Sequence, residues 1–238
     1  MLNETERWVE ERKVRIPYNG ISLDADLSLP ANAMGIVLFA HGTGSSRFSP
    51  RNKAVARQLQ DAGFATLLLD LLTLEEERTE ARAGRFRFDI EMLSLRLIAA
   101  TNWLMTQRDL RDLRVGYFGA STGAAAAVVA AGLLPEVVGA IVSRGGRPDL
   151  AGSTLQDVRA PTLLIVGGFD PVVIDVNHAA LRRLGCVARL EIVPRAGHLF
   201  EEPGALEKVS ELACRWFNDH LSPEARKHMH GLEGYVEA

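Results

Sequence analysis

The sequence predicts an α/β fold: a mostly parallel sheet opened by an antiparallel hairpin, with helices on both faces. Three observations carry this. Two alternating segments, "RKVRIPY" and "ISLDADLSLP", flank Asn19-Gly20, a strong two-residue hairpin signal. Six short apolar runs follow, "GIVLFA", "FATLLLD", "LRVGYFG", "VVGAIVS", "PTLLIVGG" and "ARLEIVP", with the near-continuous hydrophobicity of strands buried on both faces. Helical stretches fill the intervals, as parallel strands require for their crossovers. With 238 residues, one domain over 1–238 is expected, with its core at about 12–221 and a C-terminal extension at 222–238.

The elements follow in order. After "GIVLFA", Ser49-Pro50 supplies an N-cap and a first-turn proline, and Gly63 a stop, so the first helix runs over roughly 50–62. The run "EEERTEARAGR" reads as a solvated loop or helix face, and residues 88–106 form a largely apolar helix. "GYFGASTGAAAA" passes from strand through a tight turn into a helix of small residues. Only a short stretch separates "AIVS" from "PTLLIVGG", which leaves no space for a large cap domain. Leu206, Val209, Leu212, Ala213, Trp216 and Phe217 recur at helical spacing. The last stretch, "SPEARKHMHGLEGYVEA", lacks a period and is either loose or packed on a second subunit in a homodimer.

Composition excludes several functions. A net charge of −3 and the absence of a basic stripe with interleaved aromatics argue against nucleic acid as a partner. The start, "MLNETERWVEERK", has no apolar signal-peptide core, and "GAAAAVVAAGLLP" is too short to span a bilayer. Cys186 and Cys214 form no CxxC pair or ligand cluster, so the chain reads as cytoplasmic and reduced, without a metal or other cofactor. Cys214 belongs to the apolar face of its helix.

In an open parallel sheet, ligands bind at the carboxyl ends of the strands. The polar chemistry collects there: His41-Gly42-Thr43-Gly44, Gly119-Ala120-Ser121-Thr122-Gly123, Gly168-Phe169-Asp170 and Ala196-Gly197-His198 each follow an apolar run. GxSxG between strand and helix is the context of a nucleophile elbow, whose two glycines let strand and helix approach while the serine hydroxyl is lifted out of the turn. A serine hydroxyl is a poor nucleophile at neutral pH and needs a base and a group that orients it. Asp170 and His198 follow Ser121 in the chain order typical of such elbows, acid and then histidine. His198 is therefore the expected base and Asp170 its orienting acid, with Asp149 as the alternative acid. A serine N-cap is the plain alternative for Ser121, and a helix N-cap before Pro171 for Asp170. His41 precedes the serine and is read as structural. The backbone N–H groups of Thr43 and Thr122 are the candidate oxyanion donors. Arg144 and Arg147 follow the run "VVGAIVS" and Arg47 follows the glycine loop; they could take a substrate carboxylate, unless they serve ion pairs within the chain.

With these pieces assembled, the chain resembles the α/β-hydrolase superfamily, and most closely its small dienelactone hydrolase-like members, including a subgroup also found fused to phosphoribosyltransferase domains. The resemblance rests on "FAHGTGSSRFSPRNKAVARQLQDAGFATLLLDLLT", "YFGASTGAAAA", "SRGGRPDLAG", "APTLLIVGGFD" and "AGHLFEEPGAL", over roughly residues 12–220. It implies Ser121 as nucleophile, Asp170 as acid, His198 as base, and the Thr43 and Thr122 amides as oxyanion hole. Dienelactone hydrolases proper have cysteine at the elbow; Ser121 points instead to small carboxylic esters of short or medium acyl length. No phosphoribosyltransferase sequence is read in these residues. A thioesterase or acyltransferase would use the same triad, and a binding module could retain the fold without the chemistry.

Overall fold

A computed structural model describes residues 9–42, 44–83, 86 and 88–223. The hairpin is present: β1 (Val9–Tyr18) pairs antiparallel with β2 (Ile21–Pro30) around Asn19 and Gly20, whose φ values of 44° and 81° suit a type I′ turn. The six apolar runs become β3 (Ile36–Ala40), β4 (Ala65–Leu69), β5 (Val115–Ala120), β6 (Val138–Arg144), β7 (Thr162–Gly167) and β8 (Ala188–Val193). They form one eight-stranded sheet in the order β1-β2-β4-β3-β5-β6-β7-β8. β2 joins β4 antiparallel, and all later pairings are parallel.

Successive strand residues face opposite sides, which divides the core in two. Leu38, Leu67, Tyr117 and Ile141 lie in one cluster with α3 (Ile90–Thr106) and α4 (Thr122–Leu133). Phe39, Leu68, Phe118 and Val142 lie in the other with α1 (Pro50–Asp61) and α6 (Ala205–Leu221). The small side chains of α4 allow deep insertion: Ala124 to Ala127 are all fully buried. On α6, Val209, Leu212, Ala213 and Phe217 form the apolar stripe that covers the sheet.

The charged run after β4 is a helix, α2 (Leu74–Ala83), and α5 (Pro171–Leu181) follows β7. Between β6 and β7 lies only a short 3₁₀ segment, Pro148–Gln156, so no cap domain covers this edge. No described helix is long and apolar enough to cross a membrane. The C-terminal extension beyond residue 223 lies outside the described residues.

Candidate active site

Ser121 occupies the turn between β5 and α4 with φ 52° and ψ −122°, a backbone conformation that costs a non-glycine residue of order 1–3 kcal/mol. Its surroundings impose it. The Ser121 N–H donates to the Arg144 carbonyl at 3.2 Å, and its own carbonyl accepts from Ala124 and Arg147, each at 3.1 Å. Glycine is required on either side: a Cβ on Gly119 would lie 2.4 Å from Ala124 Cα, and one on Gly123 2.2 Å from the Ala40 carbonyl oxygen. The serine side chain makes no helix-capping hydrogen bond, so the N-cap alternative has no support in the geometry.

Asp170 stands at the N-terminus of α5 yet also caps nothing; its Oδ2 accepts a 2.6 Å hydrogen bond from His198 Nδ1. This bond places the imidazole proton on Nδ1 and leaves the Nε2 lone pair free to act as a base. Asp149 is instead held by Arg147 through two hydrogen bonds of 2.8 and 2.7 Å. The His198 ring lies against Gly145, where a Cβ would be 3.5 Å from both Nδ1 and Cε1. Because Gly145 follows Arg144, whose carbonyl holds Ser121, serine and histidine flank one short piece of β6's end. The side-chain hydrogen bond of His198 goes to Asp170 and not to Ser121 Oγ; catalytic hydrogen bonds can tighten only when substrate is bound.

Sequence reasoning missed the devices that hold the histidine loop. Glu202 Oε1 accepts the Gly197 N–H at 2.9 Å, Phe200 anchors the loop in the core with φ 57°, and Arg51 Nη1 on α1 donates to Glu201 Oε1 at 2.6 Å. The last pair is 150 residues apart, so no local pattern announces it.

On the oxyanion side, Gly42 abuts the nucleophile: a Cβ there would lie 2.9 Å from Ser121 Cβ. Thr43 lies outside the described residues, and Thr122 opens α4 directly after the serine. His41 is buried and bridges two loops. Its Nε2 accepts the Leu71 N–H at 3.0 Å, which leaves the proton on Nδ1 to donate to the Gly42 carbonyl at 3.0 Å. Burial lowers its pKa, so it stays neutral.

Two of the three arginine candidates are engaged within the chain. Arg47 donates to Asp70 through its backbone N–H and Nη1, and approaches Asp26 at 3.6 Å and Asp24 at 4.0 Å. Arg147 is taken by Asp149. For these two the structure shows the ion-pair alternative, each guanidinium being held by carboxylates of the chain. Arg144 is different: it is buried at the end of β6, with Asn52 Oδ1 at 3.4 Å from Nη2. Among the described residues no cluster of His, Cys, Asp and Glu could hold a metal ion.

The profile of the dienelactone hydrolase family matches residues 23–222. A crystal structure of dienelactone hydrolase from Anabaena variabilis is 57% identical, covers 90% of this chain and 99% of its own, and superposes with a TM-score of 0.88. Est1E from Butyrivibrio proteoclasticus shares the fold at 15% identity, with a TM-score of 0.73 over 87% of this chain and 98% of its own. A curated Mycobacterium tuberculosis protein, provisionally named a phosphoribosyl transferase, is 55% identical over 213 residues, 90% of this chain and 47% of that protein. The chain thus spans about half the length of the curated relatives it matches.

Proposed function

Since the chain belongs to the dienelactone hydrolase family and is a hydrolase by that membership, we propose that it is a serine hydrolase that cleaves small carboxylic esters through an acyl-enzyme. The observation that carries this reading is the 2.6 Å His198–Asp170 bond beside a strained, uncapped Ser121. In the proposed cycle, His198 Nε2 takes the Ser121 hydroxyl proton as Oγ attacks the ester carbonyl, and then gives that proton to the departing alkoxide. Water, deprotonated by the same nitrogen, releases the acid and restores the serine. Asp170 fixes the ring and stabilises the imidazolium. The amides of Thr43 and Thr122 stabilise the oxyanion, aided by the positive end of α4.

Serine in place of cysteine supports esters over dienelactones, and the short β6–β7 connection supports short acyl chains. Phe169, Val172 and Leu199 are exposed apolar side chains flanking Asp170 and His198, a surface suited to a modest alkyl or aryl group. The phosphoribosyl transferase name belongs to a relative of which this chain covers 47%, and it is not carried over.

The test is a p-nitrophenyl ester panel together with fluorophosphonate labelling. Wild type is expected to be labelled and to prefer short or medium acyl chains, while S121A loses the label and about 10⁴-fold or more in turnover. Folded wild type that takes no label would overturn the serine mechanism, and a preference for long-chain lipids would overturn the open-site reading.

A further inference from the structure

Buried charges in this protein are answered by opposite charges, with Arg144 as the exception among the described residues. Asp70 meets Arg47, and Arg96 meets both oxygens of Glu76 at 2.6 Å. Arg144 is 8% exposed, yet no described carboxylate lies within 4.0 Å of it. Asn52 gives its Nη2 a long contact of 3.4 Å, and Nη1 is buried without a hydrogen bond. Desolvating a guanidinium without a counter-charge is costly, and a well-packed apolar side chain would be less so.

Its nearest electrostatic neighbour makes matters worse. Burial and the like charge of Arg51 lower the Arg144 pKa to about 10, which still leaves it protonated at neutral pH. Arg51 Nε is likewise buried and unpaired, although its Nη1 reaches Glu201. Arg51 and the Asn52 that Arg144 contacts both lie in the first turn of α1, where the helix dipole adds partial positive charge. The position is close to the chemistry: Arg144 pairs with Ala120 across the sheet, its carbonyl holds Ser121, and the next residue touches the His198 ring.

We propose that Arg144, with Arg51 and Asn52 at the start of α1, forms a subsite beside Ser121 for an oxyanion group, carboxylate or phosphate, carried by the ester substrate. A guanidinium fork matches either group through paired hydrogen bonds. The proposal rests on the serine-hydrolase reading for the identity of the substrate but not for the binding of the anion.

The experiment compares kcat/KM for anionic esters with neutral counterparts, in wild type and R144Q. 4-Acetoxybenzoate and 4-acetoxyphenyl phosphate place the charge on the alcohol side, against phenyl acetate; mono-4-nitrophenyl succinate places it on the acyl side, against 4-nitrophenyl butyrate. At least one anionic member is expected to be favoured about tenfold by wild type, with that ratio falling about tenfold in R144Q. The carboxylate and phosphate arms tell the two anions apart. No anionic preference in wild type, or a preference that survives in R144Q, overturns the subsite. If R144Q does not fold, succinate and inorganic phosphate are tried against neutral-ester hydrolysis by wild type: competition supports the subsite, and its absence overturns it. Failure of the hydrolase reading looks different, with neither neutral ester cleaved and no fluorophosphonate label. In that case calorimetric titration of succinate and phosphate into wild type and R144Q decides the subsite alone.

Discussion

A methyl group at position 123 would collide with the Ala40 carbonyl oxygen at 2.2 Å, backbone against backbone, so no rotamer change relieves it. G123A is expected to lose about 2–3 kcal/mol in urea unfolding and to displace Ser121 as well. D170N, by contrast, should leave the fold intact and lower kcat by about 10³–10⁴, because a neutral amide neither enforces the Nδ1–H tautomer of His198 nor stabilises the imidazolium. Ser121, Asp170 and His198 were legible as candidates because each follows an apolar run at a strand end, and few residue types can do the proposed chemistry. The commitments of Arg47 were not: its carboxylates, Asp24, Asp26 and Asp70, are distant in sequence and meet it only when β2, β4 and the loop after β3 are assembled. Asp149 was legible as an acid but not as the partner of Arg147, since two residues of separation permit that bond without requiring it.

At the scale of elements, helix ends written into the sequence are realised. Ser49 accepts the Asn52 N–H at 3.4 Å, and S49A should destabilise the protein by about 1 kcal/mol in denaturant melts. α2 was left between loop and helix because its apolar content is low, yet "TLEE" carried the missing signal. Thr73 and Glu76 form a reciprocal capping box, with the Thr73 N–H donating to Glu76 Oε2 at 2.8 Å and the Glu76 N–H donating to Thr73 Oγ1 at 3.3 Å. The contact between α3 and β5 contains a buried polar stitch, Thr101 Oγ1 to Tyr117 OH at 2.6 Å. T101V strands the tyrosine hydroxyl in an apolar core and should cost about 1–3 kcal/mol, read as a lower urea midpoint at unchanged slope.

For the whole molecule, apolar runs and crossovers declared a parallel sheet but not its order, because strands buried on both faces look alike wherever they stand. Placing β4 between β2 and β3 depends on how the ladders close, as in the Ala25–Leu69 and Ala40–Leu69 registers. Stability also carries a pH signature. Burial lowers the pKa of His41 from 6.5, so below that value the unfolded chain binds a proton that the folded chain resists. Stability should therefore fall as pH drops through about 6.5, and the advantage of wild type over H41Q should shrink between pH 7.5 and 5.5 in thermal melts; His220, whose pKa is also lowered by burial, is common to both proteins.

The strand order has one more consequence. The first four strands of the chain make one contiguous half of the sheet and the last four the other, joined along the β3–β5 ladder, through α3 against α4 and through α1 against α6. A cut at the exposed turn between Arg111 and Asp112 therefore separates the Gly42 loop from Ser121, Asp170 and His198 without breaking any hairpin. Expressed as two pieces, each half should be inert, and mixing them should restore ester cleavage in proportion to their association. The fold would then act as a two-part complementation reporter, its output set by how tightly the halves find each other.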